Sequence, residues 1–202
     1  MTPTAVLGRA GRLILDFALP PRCAGCGAIT AEVDLFCGGC WPEIEFLSGG
    51  CERCGQPLEA TEADTCGACH AGEGALDRMR AAVAYGDAAR SIAIRLKYGR
   101  KTGLARTMAA YMRRPLGELE AGALLVPVPL HRTRLWQRGF NQAALIAAAL
   151  ARSTGAPTDM EMLRRVKRTP KLKGMSPSER RRVVSGAFAL RKGRAVKGRS
   201  II

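Results

Sequence analysis

No run of about 18 or more apolar residues occurs anywhere in the chain, which excludes a membrane-spanning helix of ordinary length. A secretory signal is lacking too. Arg9 and Arg12 do precede Leu13, Ile14 and Leu15, but Asp16 interrupts the apolar run. Pro20, Pro21 and Arg22 come next, where a small-residue cleavage site would stand. Residues 1–22 therefore read as a short amphipathic leader helix that packs on the domain after it. With neither span nor signal, no membrane partner is expected and the cytoplasm is the expected location. Aromatic residues are scarce, at 5%. Acidic residues are scarce in one part only. Residues 1–76 hold 10 Asp and Glu against 4 Lys and Arg, a net charge of −6; residues 77–202 hold 7 against 28, a net charge of +21. The basic part requires an anionic partner or substrate, and the acidic segment is too weakly charged to supply it. Cysteine is absent outside residues 23–69.

Within that span all eight cysteines fall in four C-x-x-C pairs. In a chain with no export signal, such pairs read as metal ligands rather than disulfides. The spacers between successive pairs are 10, 10 and 11 residues, and the pattern repeats. Cys23 and Cys26 map onto Cys51 and Cys54 at an offset of 28, and Cys37 and Cys40 onto Cys66 and Cys69 at 29. Gly27 and Gly55 come directly after the second cysteine of equivalent pairs. Glycine tolerates the positive φ that a knuckle needs to turn its amides toward sulfur. Each repeat offers four thiolates, enough for a closed tetrahedral structural zinc site. The repeat favours sequential sites, Cys23–Cys26–Cys37–Cys40 and Cys51–Cys54–Cys66–Cys69, over a cross-braced pairing. Two structural zinc ions are expected, with iron in a rubredoxin-like site as the rival. Closed sites leave no position for water, so no metal catalysis is expected. His70 beside Cys69 reads as a surface histidine. The whole element is either a staple for a segment too short to build a core or a docking module.

Beyond residue 77 the pattern changes to alternating strands and helices. Val83, Ala84 and Tyr85 begin a strand. Helices are expected over residues 88–97 and 102–112, the first with Ile92 and Leu96 on one face. Residues 123–128 form an apolar run of strand length, β-branched at Val126 and Val128. Asn141 is placed to cap a helix from Gln142 to about Arg152, and Gly155 to stop it. Residues 164–182 are rich in Lys and Arg and broken by Pro170, Gly174 and Pro177. They read as an exposed, mobile loop, with Ser176 or Ser178 capping a short helix near residues 179–182. Residues 187–190 and 200–202 suggest further strands. The order implies an α/β domain with a largely parallel sheet.

One segment concentrates donors for an anion. After the strand near residue 126 comes a loop with His131, Arg132, Arg134 and Arg138, then Gly139, then a helix starting near Asn141. Guanidinium groups, a flexible glycine and a helix N-terminus suit a phosphate or pyrophosphate. A basic surface loop before an amphipathic helix is the plain alternative.

The cysteine pairs, Leu96-Lys97-Tyr98, Val126-Pro127-Val128-Pro129-Leu130-His131, Arg138-Gly139-Phe140-Asn141-Gln142 and Gly186-Ala187-Phe188 occur here in one order. In that order they resemble the ComF family over nearly the whole chain. The resemblance implies a double zinc ribbon followed by a type I phosphoribosyltransferase-like domain of Rossmann-like topology, with a role in DNA uptake by competent bacteria. The expected organisation is a leader helix (1–22), a double zinc ribbon (23–76) and a phosphoribosyltransferase-like domain (77–202). The resemblance assigns residues 131–139 to the pyrophosphate loop and residues 164–182 to a mobile loop closing over substrate. Leu172 stands where the family carries Gln, and Val183 where it carries Asn. After Lys197, Gly198 and Arg199 the family continues into an Asp-Asp-x-x-Thr-x-Gly-x-Thr loop that holds phosphoribosyl pyrophosphate. Residues 1–202 stop before it, at Ile201 and Ile202. The expectation is thus an incomplete domain with an open strand edge, inactive as a transferase and binding phosphoribosyl pyrophosphate weakly or not at all. Mg2+ with that substrate is expected only in a complete homologue.

Three roles compete. The first is a phosphoribosyltransferase-like protein whose family role is in DNA uptake and transformation, with a protein of the competence machinery as a candidate partner. The second is an adaptor for single-stranded DNA, using Arg168, Lys171, Lys173, Arg180, Arg181 and Arg182 for phosphates. Tyr98, Trp136 and Phe140 would then be stacking platforms. The third is a zinc-stapled remnant that folds poorly.

Overall fold

The computed structural model describes residues 20–58, 64–72, 76–117, 119 and 122–202. The leader helix expected over residues 1–22 lies outside these, apart from its last three positions. The chain divides into two compact units, Met1–Arg95 and Leu96–Ile202. Residues 77–95 thus travel with the cysteine segment, although the change in charge comes at residue 77. The physical reason is local pairing. Phe46 and Val83 form an antiparallel bridge, with Leu47 N–H donating to Ala82 O at 3.1 Å and Ala84 N–H to Glu45 O at 2.9 Å. The strand expected at residues 83–85 is reduced to this bridge.

The first unit is built mainly of turns. Helix α1 (Gly67–Ala71) is five residues long and carries the last C-x-x-C pair at its start. Helix α2 (Asp87–Tyr98) runs across the division between the units. Ala88, Ile92 and Leu96 are buried at intervals of four, the expected helical stripe.

In the second unit, residues 124–126 occupy the middle. Leu124 bridges Ile201 and Leu125 bridges Thr158, both in parallel. Leu124 N–H donates to Ser200 O at 2.9 Å, Val126 N–H to Ile202 O at 2.7 Å and Leu125 N–H to Pro157 O at 2.9 Å. The strand therefore has partners on both edges. Its side chains alternate, as the pleat demands. Leu125 packs with Ala109, Ala149 and Leu150, which come from α3 (Leu104–Leu116) and α5 (Gln142–Thr154). Leu124 and Val126 face the other way, onto Met162, with Leu163 and Val196 alongside. Both faces are covered, which is why the segment reads as an unbroken apolar run.

The parallel pairing is short, however. The sheet formed by named strands among the described residues is antiparallel, β1 (Leu163–Arg165) against β2 (Phe188–Leu190), with Arg165 opposite Phe188. Two expectations are corrected here. Residues 131–139 are not a loop, because residues 132–138 form helix α4 (Arg132–Arg138). His131 caps it by accepting from Thr133 N–H, and Gly139 closes it with φ 83°. Nor are residues 164–182 one loop. They begin in β1 and end in α6 (Pro177–Val184), which Ser176 and Glu179 start with a reciprocal capping box. β1 was hidden by its two arginines, which suit a surface strand better than a core one. The Asn141 cap and the Gly155 stop of α5 are where the sequence places them.

Leu150 is 5% exposed in the cluster with Ala109, Leu125 and Ala149. Leu150→Ala is expected to destabilise the second unit by about 2–5 kcal/mol. Urea unfolding followed by far-ultraviolet circular dichroism would read this as a lower midpoint, since the variant keeps the helix propensity of α5.

Candidate metal centres and basic surface

The eight cysteines come together as two sets, Cys23, Cys26, Cys37, Cys40 and Cys51, Cys54, Cys66, Cys69, with the sulfurs of each set within 4.8 Å of one another. The pairing is sequential, not cross-braced. The internal repeat is visible bond by bond. Cys23 N–H donates to Ala28 O at 2.7 Å and Cys51 N–H to Gln56 O at 2.8 Å. Gly27 N–H returns to Cys23 O at 3.0 Å and Gly55 N–H to Cys51 O at 2.8 Å. Cys37 N–H points at Cys23 Sγ and Cys66 N–H at Cys51 Sγ, each at 3.3 Å. Gly27 and Gly55 hold φ at 87° and 69°, the left-handed turn that the spacing calls for.

Metal fit can be tested on the sulfurs. A tetrahedron with metal–sulfur bonds of about 2.3 Å has sulfur–sulfur edges of about 3.8 Å. Cys26 Sγ lies 3.6 Å from Cys37 Sγ, and Cys54 Sγ 3.8 Å from Cys66 Sγ. The two clusters fit two structural zinc ions in size and in donor type. Electrostatics lead to the same conclusion. Burial opposes ionisation of Cys23, but amides of Cys37, Cys26 and Gly25 outweigh it and bring its pKa down to about 6. Amides of Cys54 and Cys66 bring Cys51 down to about 6 as well. Burial and thiol hydrogen bonds from Cys26, Cys37 and Cys23 push Cys40 up to about 12. The Cys54 bond, then burial, pushes Cys69 up to about 12. One sulfur of each set readily becomes a thiolate, while another resists because its neighbours are sulfurs too. A dication at the centre removes that resistance.

Residues that sequence reasoning passed over complete the knuckles. Gly25 has no positive φ, yet a Cβ there would meet Cys40 Sγ at 2.8 Å. Gly50, with φ +88°, would place a Cβ 2.5 Å from Gln56 O. Arg95 Nη1 donates to Ala24 O at 2.9 Å and to Gly25 O at 2.5 Å. Arg80 Nη1 reaches Glu52 O at 2.8 Å, and Arg53 Nη1 reaches Gly72 O at 3.0 Å. Backbone carbonyls at or beside three of the four C-x-x-C pairs thus accept from an arginine. Arg53 had one visible signal, as a cation in an acidic segment. His70 lies in α1, exposed and outside the sulfur set.

The six residues expected around a phosphate have diverse partners. His131 Nδ1 is 2.9 Å from Thr133 Oγ1 and caps α4. Asn141 Nδ2 donates to Val128 O at 3.1 Å, while its Oδ1 accepts from Ala143 N–H at 3.1 Å. Arg138 lies over the Tyr98 ring at 5.3 Å and donates to Gln142 Oε1. Arg132 and Gly139 are exposed. Arg134 turns elsewhere, donating from Nη2 to Thr169 O at 2.8 Å. Thr169 also accepts from Arg165 Nη2 at its Oγ1, at 2.5 Å. Burial, then the charge of Arg134, holds the Arg165 guanidinium below its ordinary pKa. Arg168, Lys171, Lys173, Arg180, Arg181 and Arg182, the candidates for nucleic-acid contact, are all exposed. Trp136 is 87% exposed on α4. No helix among the described residues is long and apolar enough to cross a membrane.

Residues 14–70 match the family model of the double zinc ribbon domain. Competence protein F of Haemophilus influenzae is 30% identical over 176 residues, 84% of this chain and 76% of that protein. The DNA utilization protein YhgH of Salmonella typhimurium is 29% identical over 76% of this chain and 70% of its own length. YhgH of Escherichia coli K12 is 28% identical, with 69% of this chain matched to 64% of that protein. No solved structure matches the chain.

Elemental analysis of protein purified without added metal is expected to find two zinc ions per chain; one ion, or a majority of iron, would contradict this. Gly25→Ala puts its methyl against Cys40 Sγ. It is expected to lower the content toward one ion while leaving the second cluster filled.

Proposed function

The chain belongs to the ComF family, and on that premise we propose that it serves DNA uptake as a zinc-stapled ribbon joined to a phosphoribosyltransferase-like, phosphate-holding unit. The relatives' names, competence protein F and DNA utilization protein, support the association with external DNA. In this proposal the eight cysteines coordinate two structural zinc ions, and the ribbon organises residues too few to make a core. His131, Arg132, Arg134, Arg138, Gly139 and Asn141 supply the phosphate side of the second unit. The cytoplasm is the proposed setting, with a protein of the uptake machinery as a further partner.

The observation that carries the reading is the excess of positive charge beyond residue 77. Residues 77–202 have a net charge of +21, and most of their lysines and arginines have no carboxylate partner among the described residues. A compact state with that much like charge is relieved by anions. Leu172 and Val183 replace polar residues of the family pattern, so holding phosphate rather than transferring a phosphoribosyl group is the role proposed here. The transferase-like fold is supported by parallel pairing on both edges of residues 124–126, with α3 and α5 on one face.

A second reading, a single-stranded DNA adaptor, is favoured by Trp136. Its ring is exposed on the helix that also carries Arg132, Arg134 and Arg138. Indole stacks on any base, and flanking guanidinium groups track phosphates.

Single-stranded DNA is expected to bind with little sequence preference. Fluorescence anisotropy across salt should give a log–log slope of magnitude roughly 3 to 6, about four to eight phosphates. Replacing Arg180, Arg181 and Arg182 with Ala should lower that slope, whereas Cys51→Ser should not. Trp136→Ala should weaken binding by about 1–3 kcal/mol while leaving the slope nearly unchanged, the signature of stacking. Absence of binding at low salt would end the DNA reading.

A further inference from the structure

We infer that residues 29–46, around the first cysteine set, form a docking surface for another protein, which engages it through an arginine-bearing, partly apolar segment. The inference does not rest on the phosphate reading of the second unit.

An aromatic ladder runs along this segment. The Trp41 ring lies 6.4 Å from Phe36 and 5.1 Å from Phe46, tilted by 53° and 42°. Trp41 is nevertheless 51% exposed, and Val33 and Leu35 are 55% and 40% exposed. The sulfur cluster alone does not demand these residues, because the second repeat builds the same turn without them. Trp41 N–H donates to Cys37 O at 3.0 Å, and His70 N–H donates to Cys66 O at 3.0 Å. His70 therefore occupies the place of Trp41, and Asp64 and Thr65 those of Leu35 and Phe36. Four sulfurs converge there too, with polar residues at all three places. A large indole half open to water, where the fold accepts a histidine, is the kind of side chain that anchors an interface.

Charge selects the partner. Residues 27–46 contain no Lys, Arg or His and carry Glu32, Asp34, Glu43 and Glu45. The three glutamates are exposed, and the ion pairs among the described residues do not include them. Glu43 lies in the turn that Ile44 N–H closes on Trp41 O at 3.1 Å, and Glu45 stands directly before Phe46. Arg22 and Arg95 approach the first cluster but donate to carbonyls, Arg22 to Gly27 O at 3.1 Å and Arg95 to Ala24 O at 2.9 Å. Such a face repels phosphate. A guanidinium suits it on two counts: its plane stacks on an indole, and its fork meets carboxylates. A second copy of this chain is a poorer occupant, because two chains of net charge +15 repel on approach. The short backbone bonds of the turns hold the face in place, so little order has to be imposed when a partner docks.

Fluorescence anisotropy with the zinc-loaded full chain tests this, at about 0.15 M salt, where screening confines fields to about 8 Å. The probe is a fluorescein-labelled peptide repeating Gly-Arg-Leu, compared with peptides repeating Gly-Lys-Leu and Gly-Glu-Leu. The arginine peptide is expected to bind saturably, the lysine peptide about two- to fivefold more weakly, and the glutamate peptide not at all. Trp41→Ala should weaken the arginine peptide by about fivefold or more. Glu43→Gln combined with Glu45→Gln should weaken it and flatten its salt dependence. Asp77→Asn removes an exposed carboxylate outside the repeat and should change affinity less than about twofold. Trp41→His installs the residue that the second repeat carries at that place, so both zinc ions should stay while peptide binding falls. The inference is overturned by absence of saturable binding of the arginine peptide, by wild-type affinity in Trp41→His, or by loss of zinc from that variant, which would make the indole part of the staple. An equal loss in Asp77→Asn, or equal binding of the glutamate peptide, overturns it as well. Two measurements address other occupants. Sedimentation of the chain alone should show no self-association that Trp41→His abolishes; finding it would make a second copy the occupant and overturn the inference. Single-stranded DNA binding should be the same in Trp41→His as in the wild type; a loss there would make the face a nucleic-acid surface, with the same consequence.

Discussion

Sulfur crowded against sulfur governs the first unit. Four thiols lie within 4.8 Å; amides bring Cys23 down to about 6 against its burial, while burial and then the neighbouring thiols push Cys40 up to about 12. A dication accepts four thiolates at once and turns mutual repulsion into shared attraction. The rest of the unit serves that arrangement. Amides of Cys37 and Cys66 aim at sulfur, glycines release the turns, and Arg53, Arg80 and Arg95 satisfy carbonyls that the turns expose. Among the described residues, apart from Ala88 and Ile92 of α2, the buried apolar side chains of this unit are Ala24, Ile44 and three cysteines. The described cysteine segment has little hydrophobic burial to offset its chain entropy, the circumstance in which metal binding couples to folding.

A different constraint shapes the second unit. Its strand at residues 124–126 is covered on both faces, and α3 and α5 approach closely because Ala109, Ala147 and Ala149 are small. The apolar material is thereby concentrated around one strand, and the surplus of cations is left at the surface. Some of these find uses within the fold: Arg138 stacks on Tyr98 and Arg165 on Phe188. Others, Arg168, Lys171, Lys173, Arg180, Arg181 and Arg182 among them, stay exposed to solvent.

Much of this was legible in local signals. The cysteine spacing and its offset of 28 or 29 residues identified the two sets and their sequential pairing. Asn141, Gly155 and Ser176 marked the ends of helices, because caps act over three or four residues and need no distant partner. Helix α4 was missed because its apolar content, Leu135 and Trp136, is exposed and leaves no buried stripe. β1 was missed because two of its three residues are arginine, and only pairing with β2 makes it a strand.

The sequence by itself determined what depends on neighbours along the chain: ligand type and spacing, glycine at forced turns, helix caps, and the division of charge between residues 1–76 and 77–202. Tertiary structure decided what depends on residues far apart. It set Gly25 against Cys40 Sγ, brought Arg95 to the carbonyls of Ala24 and Gly25, and joined Arg134 and Arg165 at Thr169. Spacing of a few residues fixes backbone geometry through short hydrogen bonds and steric limits. A contact between residues separated by thirty or seventy positions has no local energy term, and arises only when packing of the intervening elements places its two ends together.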